Sequence, residues 1–259
     1  MNSLKYCDLL RAFSRVQQAP YYDFKNTGTK AGFELKTSII IPTFNESLLL
    51  ADTLARVQQH DPYEVIVGDG GSADDTVAIA RQMGARVVAS ACGRAVQMNA
   101  AARSATGDLL VFLHADSHID SSGYKKMVDT MSRENYVGGA FSLHIQSDLS
   151  SMKTISRLAT WRSRHLHLAY GDQAIFVRAE AFQALNGFSP LPICEDLDFF
   201  LKLKKHGRVI ILKEKAVTSA RRWLKEGVAF TTARNILITT LFLLGFPPAR
   251  LSKWYLPKR

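Results

Sequence analysis

Three short apolar runs in the first half of the sequence are each followed by a polar segment. These segments are residues 42–46, 68–75 and 114–116, and they carry carboxylates, amides or imidazole beside proline and glycine turns. Carboxylate oxygens are the ligands that hard divalent cations prefer, and glycine lets backbone N–H groups approach a phosphate. Helix capping explains a single acid such as Asp74. Three such segments in succession predict a nucleotide or phosphate site.

The apolar runs alternate with segments of helical spacing. The predicted strands are residues 38–42, 64–68, 87–89 and 109–113, and the predicted helices are residues 47–59, 76–83 and 95–104. This alternation predicts βαβ units and a parallel, doubly wound sheet in an α/β fold. Ligands bind at the carboxyl ends of the strands in such sheets, and the polar segments stand at those ends.

The alternation is looser after residue 113. We expect helices at 124–132, 149–167, 179–185, 195–206 and 224–245, and strands at 139–145, 173–177 and 209–212. Residues 1–36 show no clear period apart from an expected short helix at 3–17. We interpret them as an N-terminal extension.

Several common catalytic signatures are absent from the sequence. Neither the dinucleotide motif Gly-x-Gly-x-x-Gly nor the phosphate-loop motif Gly-x-x-x-x-Gly-Lys-Ser/Thr follows the first strand. Hydride transfer and ATP hydrolysis on those scaffolds are therefore disfavoured. A Gly-x-Ser-x-Gly nucleophile elbow is also absent, and the histidines other than His114 do not show metal-ligand spacing.

The distribution of charge divides the chain in two. The 259 residues are 47% hydrophobic and 22% charged, as in ordinary globular proteins, with a net charge of +10. Residues 200–259 hold 14 basic and 2 acidic residues (+12), which leaves 19 basic and 21 acidic residues (−2) for 1–199. This asymmetry disfavours a nucleic-acid coat along the whole chain. It indicates a local anionic partner, which is a phosphate, an acidic substrate or a membrane surface.

Cysteine usage and the first residues indicate a cellular compartment. Cys7, Cys92 and Cys194 lie far apart without paired spacing, which favours a reducing compartment. The N-terminus lacks the apolar region of a secretory signal, so we expect a cytoplasmic protein.

An uncharged apolar run of about a dozen residues lies at 235–246, before two prolines. A transmembrane helix needs roughly 20 apolar residues, so this run is too short to span a bilayer. Two alternatives remain open: a buried core or oligomer contact, and a helix lying on a membrane surface.

The motifs at 38–46, 67–76 and 112–116 resemble those of family 2 glycosyltransferases with the GT-A fold. Residues 93–99 and 218–223 are similar to a small bacterial subgroup of that family. The resemblance covers roughly residues 37–225. It implies a Rossmann-like mixed, mostly parallel sheet with helices on both faces, an N-terminal extension at 1–36 and a basic helical C-terminal extension at 226–259.

The resemblance implies a binding site for a nucleoside-diphosphate-sugar, linked to uridine or guanosine. Asp69 would bind the base, and Asp116 would be the last carboxylate of an Asp-x-Asp site for Mg²⁺ or Mn²⁺. His114 replaces the first Asp of that motif, and it either ligates the cation or only hydrogen-bonds, which leaves metal dependence open. The implied donor-binding residues are Pro42, Thr43, Asn45, Glu46, Asp69, Gly70, Gly71, Ser72, Arg94, Gln97, Asn99 and Asp116.

The resemblance also implies an acceptor side. Inverting transfer needs a carboxylate that takes the proton of the acceptor hydroxyl, and Asp196 beside Glu195 matches the base motif of the family. The alternative is that acids at 195–198 only complement a helix dipole. Contacts to the acceptor or diphosphate are implied for Asp172, Gln173, Arg221, Arg222 and Trp223. Trp223 alternatively belongs to the core.

We therefore expect a glycosyltransferase that moves a sugar to a hydroxyl acceptor, with lipid-linked and anionic acceptors both open. The protein would be cytoplasmic or peripheral on the cytoplasmic membrane face, with oligomerisation open. The alternatives are a non-catalytic nucleotide-sugar-binding protein and a nucleotidyltransferase. The segment at 43–47 lacks the glycine and cations that a nucleotidyltransferase usually needs. Nucleic acid is not an expected partner, since no recognised binding module accompanies the basic residues.

Overall fold

The computed structural model describes residues 35–255, so the helix expected at 3–17 lies outside the described residues. The strands are β1 (Thr37–Thr43), β2 (Glu64–Asp69), β3 (Arg86–Ala89), β4 (Leu109–Phe112), β5 (Ser117–Ile119), β6 (Gly138–Gln146), β7 (Ile175–Arg178) and β8 (Val209–Ser219). The helices are α1 (Ser47–Gln58), α2 (Thr76–Gln82), α3 (Arg94–Ser104), α4 (Ser121–Arg133), α5 (Ser150–Leu166), α6 (Ala179–Ala184), α7 (Glu195–His206), α8 (Arg221–Glu226), α9 (Val228–Leu243) and α10 (Pro248–Leu251). Short 3₁₀ turns lie at Gly171–Gln173 and Ser252–Trp254.

All eight strands form one sheet in the order β3-β2-β1-β4-β7-β6-β8-β5. The strands β3, β2, β1 and β4 are parallel, as the alternation of strands and helices predicts. The strand β7 then runs antiparallel to both β4 and β6, β6 pairs in parallel with β8, and β5 is antiparallel to β8. The result is the mixed, mostly parallel sheet that the resemblance implied.

Apolar side chains cover both faces of this sheet. Alternate residues of β1 enter different clusters, with Ile39 and Ile41 on one face and Ile40 on the other. The apolar cluster on one face includes residues of α1, α2 and α4, and the cluster on the other face includes residues of α3, α6 and α7. A strand that is buried on both faces has a continuous apolar sequence, which is why the β1 run was recognisable.

The second half differs from the sequence prediction in several details. The strand expected at 209–212 continues to Ser219 as β8, and β5 was not predicted at all. The strand expected at 173–177 begins only at Ile175, because Gln173 belongs to the 3₁₀ turn. The single helix expected at 224–245 is two helices, since Gly227 adopts φ 91° and separates α8 from α9.

The C-terminal helices pack against loops that follow the sheet. Ile238 of α9 and Leu251 of α10 are buried together with Ile193, which lies just before α7. The hydroxyls of Thr239 and Tyr170 are 2.7 Å apart, which ties α9 to the turn at Gly171–Gln173. No helix within residues 35–255 combines the length and hydropathy that crossing a membrane requires.

Candidate active site

The loop after β2 is organised around the carboxylate of Asp69, which is only 3% exposed. Its Oδ2 accepts hydrogen bonds from the backbone N–H groups of Gly71 and Ser72, both at 2.9 Å. Its Oδ1 accepts from the hydroxyls of Ser72 and Thr43. Charge-assisted bonds to several donors are stronger than neutral ones and fix the shape of this loop.

The loops after β1 and β2 are bonded to each other. The backbone N–H of Asn45 donates to Ser72 Oγ, and Asn45 Oδ1 accepts from the N–H of Ala73, both at 2.9 Å. Asn45 has φ 54°, a left-handed conformation that asparagine tolerates better than most residues. Pro42 pairs with Gly68 in the parallel register, and the N–H of Gly70 donates to the carbonyl of Thr43. The two segments therefore form one preorganised surface.

Two residues of α3 that were expected near the donor bond backbone groups of neighbouring loops. The Gln97 side chain is buried, and its Nε2 donates to the carbonyls of Thr43 and Gly68 while its Oε1 accepts from the N–H of Gly93. Asn99 forms a pair of bonds with the backbone N–H and carbonyl of Phe188, at 2.9 and 2.8 Å. Both residues hold the loops in place, and their polar atoms are used by protein groups.

Arg221 connects two of the strand ends. Its guanidinium bonds both carboxylate oxygens of Glu46, at 3.0 and 3.1 Å, and its Nε lies 3.3 Å from Asp116 Oδ2. Because β8 extends to Ser219, whose N–H donates to the carbonyl of Asp116, Arg221 begins the next helix beside that carboxylate. A planar guanidinium suits such bidentate contacts, and it places a positive charge next to Asp116.

His114, Gly171 and Asp196 meet at the centre of the cluster. Asp196 Oδ2 accepts the N–H of Gly171 at 2.6 Å, and Asp196 Oδ1 accepts the N–H of Leu197 at 2.7 Å. A Cβ at Gly171 would lie 2.6 Å from His114 Nε2 and 3.2 Å from Asp196 Oδ2. Burial, together with the positive charge of Arg94, lowers the pKa of His114 to about 4. Its imidazole is therefore neutral at pH 7 and able to accept a hydrogen bond or a cation.

Glu195 lies beside Asp196 but is far less accessible. It is 4% exposed, and its Oε1 lies 3.4 Å from Nε of the half-exposed Arg94. Burial raises the pKa of Glu195, and Arg94 offsets part of that rise. Cys194 precedes it at φ 63°, a strained conformation for a residue other than glycine, and strain of this kind is concentrated at functional sites.

The turn at Gly171–Gln173 places its two polar side chains differently. Asp172 has a buried Oδ1 without a hydrogen-bond partner, and burial raises its pKa to about 6. Gln173 is fully buried and bonds Phe141 O, Ser163 Oγ, Arg162 and the N–H of Tyr170. Gln173 thus supports the turn, and its contact with an acceptor stays a prediction.

Arg222 and Trp223 of the C-terminal segment also have different environments. The Trp223 ring packs against Leu143, Ile145 and Met152, and its Nε1 donates to Thr232 Oγ1 at 3.3 Å. The structure thus supports the core alternative for Trp223. The Arg222 guanidinium lies 4.4 Å from the centre of the Tyr255 ring, and its charge acts on His114.

Sequence reasoning missed Tyr255, Tyr170 and Arg162. Burial raises the pKa of Tyr255, and the charges of Arg222, Arg94 and Asp196 act on it, so its phenol adjoins the cluster. The Arg162 guanidinium stacks 3.6 Å from the centre of the Tyr170 ring, directly before Gly171. The sequence indicated one of these residues only by position, since Tyr170 directly precedes Gly171 and Asp172.

Residues 38–185, more than half of the chain, match the family model described as glycosyl transferase family 2.

The chain belongs to glycosyl transferase family 2.

Two curated relatives have similar sequences. This family 2 chain is 28% identical over 157 residues to undecaprenyl-phosphate 4-deoxy-4-formamido-L-arabinose transferase of Sodalis glossinidius, covering 56% of the chain and 48% of the relative. It is 27% identical over 200 residues to glycosyltransferase AglJ of Haloferax volcanii, covering 75% of the chain and 61% of the relative. The chain therefore spans about half to three fifths of the length of these relatives.

Solved structures share the fold of this family 2 chain. S. aureus TarS 1-349 in complex with UDP-GlcNAc has a TM-score of 0.56 at 19% identity, over 71% of this chain and 58% of that one. The mannosyltransferase PcManGT from Pyrobaculum calidifontis, in complex with GDP-Man and Mn²⁺, has a TM-score of 0.58 at 18% identity, over 95% of this chain and 73% of that one. At these identities the comparison establishes the GT-A fold.

The buried carboxylate of Asp172 makes the stability of this family 2 chain pH-dependent. The pKa of Asp172 is about 6 in the folded state, against an ordinary value of 3.8. Between these pH values the native state binds more protons than the unfolded state, so the free energy of unfolding falls as pH rises through them. We expect Asp172→Asn to raise the free energy of unfolding at pH 8 by about 1–2 kcal/mol, and the gain to disappear near pH 4. Urea unfolding at a series of pH values, without added metal, measures this.

The exposed Asp148 provides a matched control. Asp148→Asn removes the same charge at the surface, so a change that it shares with Asp172→Asn does not come from the buried carboxylate. A gain in Asp172→Asn that is equally large at pH 4 and pH 8 would show that ionisation of Asp172 is not the cause.

The close approach of Gly171 to His114 predicts a second effect. We expect Gly171→Ala to displace the His114 ring and lower kcat about tenfold, since a small misplacement of a group in the candidate active site is costly. The fold should be retained, because the imidazole is the end of a side chain that can turn away. In a His114→Ala background the same substitution should have little further effect, as a double-mutant cycle of kcat measures. Additive losses would contradict the contact.

Proposed function

We propose that the protein transfers a sugar from a nucleoside-diphosphate-sugar to an acceptor hydroxyl. The observation that carries the proposal is the meeting of Asp116, Asp172 and Asp196 with Arg94 and Arg221 at the carboxyl edge of the sheet. The preorganised loop around Asp69 adjoins this cluster. Two solved structures with the same fold contain UDP-GlcNAc and GDP-Man, which supports a uridine or guanosine diphosphate sugar as the donor.

The proposed donor site comprises the surface built by the β1 and β2 loops. Asp69 and Gly70 would face the base, and Glu46 and Arg94 would lie toward the ribose and diphosphate. Pro42, Thr43, Asn45, Gly71 and Ser72 shape this surface through the backbone contacts described above. Arg94 and Arg221 are the cations in reach of diphosphate oxygens.

A divalent cation, Mg²⁺ or Mn²⁺, is proposed to accompany the diphosphate. Within the described part of the chain, no three His, Cys, Asp or Glu side chains are grouped so as to hold a metal. Asp116 and the neutral His114 fit as two ligands, because a cation bound mainly through substrate phosphates and water needs only one or two protein groups. When bound, the cation would neutralise charge on the leaving diphosphate.

Asp196 is the proposed general base of an inverting transfer. Its carboxylate is fixed by the N–H groups of Gly171 and Leu197 in the centre of the cluster. Glu195 is buried against Arg94, so we assign it to positioning that arginine. Burial raises the pKa of Asp172, and the negative charge of the nearby Asp196 adds to that rise.

The acceptor side is proposed to include Asp172, Arg222 and Tyr255. We propose an acceptor that is lipid-linked or anionic, and a protein that is peripheral on the cytoplasmic membrane face. One curated relative is named for an undecaprenyl-phosphate sugar transferase. We also propose that residues 37–225 form the catalytic domain and 226–259 an extension. The contact between Thr239 and Tyr170 supports packing of the described part of this extension on the loops of the domain. The boundary at residue 36 stays a prediction.

Release of nucleoside diphosphate tests the proposed function. The purified chain would be incubated with a panel of UDP-, GDP- and dTDP-sugars, with and without Mn²⁺ or Mg²⁺, and with soluble and lipid-linked acceptors. We expect donor-selective release that depends on an acceptor. Binding without turnover across the panel would favour a non-catalytic nucleotide-sugar-binding protein, and pyrophosphate release from a nucleoside triphosphate would favour nucleotidyl transfer.

A further inference from the structure

The outward face of α9 is apolar and exposed. Phe230 is 62% exposed, Ile236 63%, Leu237 50%, Leu243 46% and Leu244 51%. Their spacing follows the helical repeat, so they line one side of the helix. No charged residue occurs between Asn235 and Ala249. Large exposed apolar faces of this kind mark sites where a partner binds.

The inward face of the same helix contacts segments that lie next to the candidate active site. Thr231 and Ile238 are buried, and Ile238 packs with Ile193, two residues before Glu195. The Thr239 hydroxyl bonds that of Tyr170, which precedes Gly171. One helix, about 10 Å across, therefore separates the outer face of α9 from the loops that carry the proposed base.

Positive charge lies beside this apolar face. Arg250 and Lys253 are exposed just beyond α9, whereas Arg234 within α9 is paired with Glu226. The neighbouring helix α5 has the same character, with exposed Leu158 and Trp161. Residues 149–171 contain four basic residues and no acid. The two helices meet where Ala159 of α5 packs in one cluster with Val228 of α9.

We propose that the outer face of α9 binds an anionic lipid bilayer, with Phe230, Ile236 and Leu237 entering the headgroup boundary. Apolar side chains flanked by cations are the combination that peripheral helices use on anionic membranes. A second copy of the chain fits less well, because a two-fold contact would bring the same unbalanced cations together. A lipid-linked acceptor would then reach the site from the membrane, and this last step rests on the proposed function.

Vesicle flotation tests the surface without using the enzymatic activity. The full chain would be mixed with vesicles of phosphatidylcholine alone or with about 30% phosphatidylglycerol. We expect binding to the anionic vesicles that weakens as salt rises from about 0.1 to about 0.5 M. Ile236→Glu and, independently, Phe230→Glu should each lower the partition coefficient about tenfold or more.

Tyr63→Glu is the matched control. Tyr63 is 52% exposed and precedes β2, at the sheet edge opposite the site, and the substitution adds the same charge. It should float like the unaltered protein, and thermal unfolding should confirm that all variants are folded. Flotation unaffected by both α9 variants overturns the proposal. So does a stable dimer that Ile236→Glu dissociates, because the face would then be covered by a second copy. Calorimetry measures nucleotide binding separately. A chain that binds nucleotide but not anionic vesicles contradicts the membrane surface alone, and a chain that binds vesicles but not nucleotide contradicts the proposed function alone.

Discussion

Asp196→Asn is expected to lower kcat about 10³-fold while nucleotide affinity and fold are retained. General-base catalysis contributes about 10²–10⁴-fold, and an amide cannot take the acceptor proton. Asparagine keeps the size of the side chain and one oxygen, so the hydrogen bond from the N–H of Gly171 can persist. Steady-state kinetics with the donor and acceptor found in the panel measure the loss, and calorimetry with the nucleoside diphosphate measures the affinity.

Asp198→Asn is the control for this prediction. Asp198 lies on the same first turn of α7, but its carboxylate bonds Ser189 and Lys202, away from the cluster. Its substitution should change kcat by less than about threefold, since it touches no proposed reacting group. Equal losses in the two variants would mean that acids at the start of α7 act through the helix rather than by proton transfer. The dipole interpretation of these acids would then stand.

The first half of the fold was predictable because its elements are local and strongly patterned. The strands β1, β2 and β4 are short apolar runs, and the structure begins and ends them within two residues of the predicted limits. A parallel sheet collects the carboxyl ends of its strands on one edge, which is why Asp69 and Asp116 could be assigned to one site from spacing alone.

The second half was less predictable because its elements depend on pairing that the sequence does not reveal. The strand β5 has only three residues, and it exists through antiparallel pairing with the distant β8. The middle of β8 contains Lys213, Glu214 and Lys215, so the sequence after Leu212 lacks the apolar pattern by which a buried strand is recognised. A prediction from local pattern stops where the apolar run stops.

The roles of polar side chains were hardest to predict. Gln97, Asn99 and Gln173 have residue types that suit a ligand, yet their amides bond backbone and side-chain groups far away in the sequence. The contact of Arg221 with Glu46 joins residues 175 positions apart. Residue type shows that a group can donate or accept a hydrogen bond, but only the fold decides what it meets.

Asp69→Ala is expected to destabilise the donor loop and to weaken donor binding. The buried carboxylate accepts hydrogen bonds from two backbone N–H groups, and alanine would leave these donors of Gly71 and Ser72 without a partner. Each such loss costs about 1–3 kcal/mol, so we expect the free energy of unfolding to fall by about 2–4 kcal/mol. Nucleotide affinity should fall about 100-fold or more, because the binding surface is no longer preorganised.

Asp74→Ala separates this effect from the loss of any acid in the same loop. Asp74 is exposed and accepts bonds from the N–H groups of Ser47 and Thr76, which fix the start of two helices. Its loss should cost about 1 kcal/mol, in the range of a helix cap, and change nucleotide affinity only slightly. If both variants lose nucleotide affinity equally, donor binding depends on the total negative charge of the loop and not on the buried carboxylate of Asp69. A loss confined to Asp69→Ala means that the hydrogen bonds beneath the loop create the donor site.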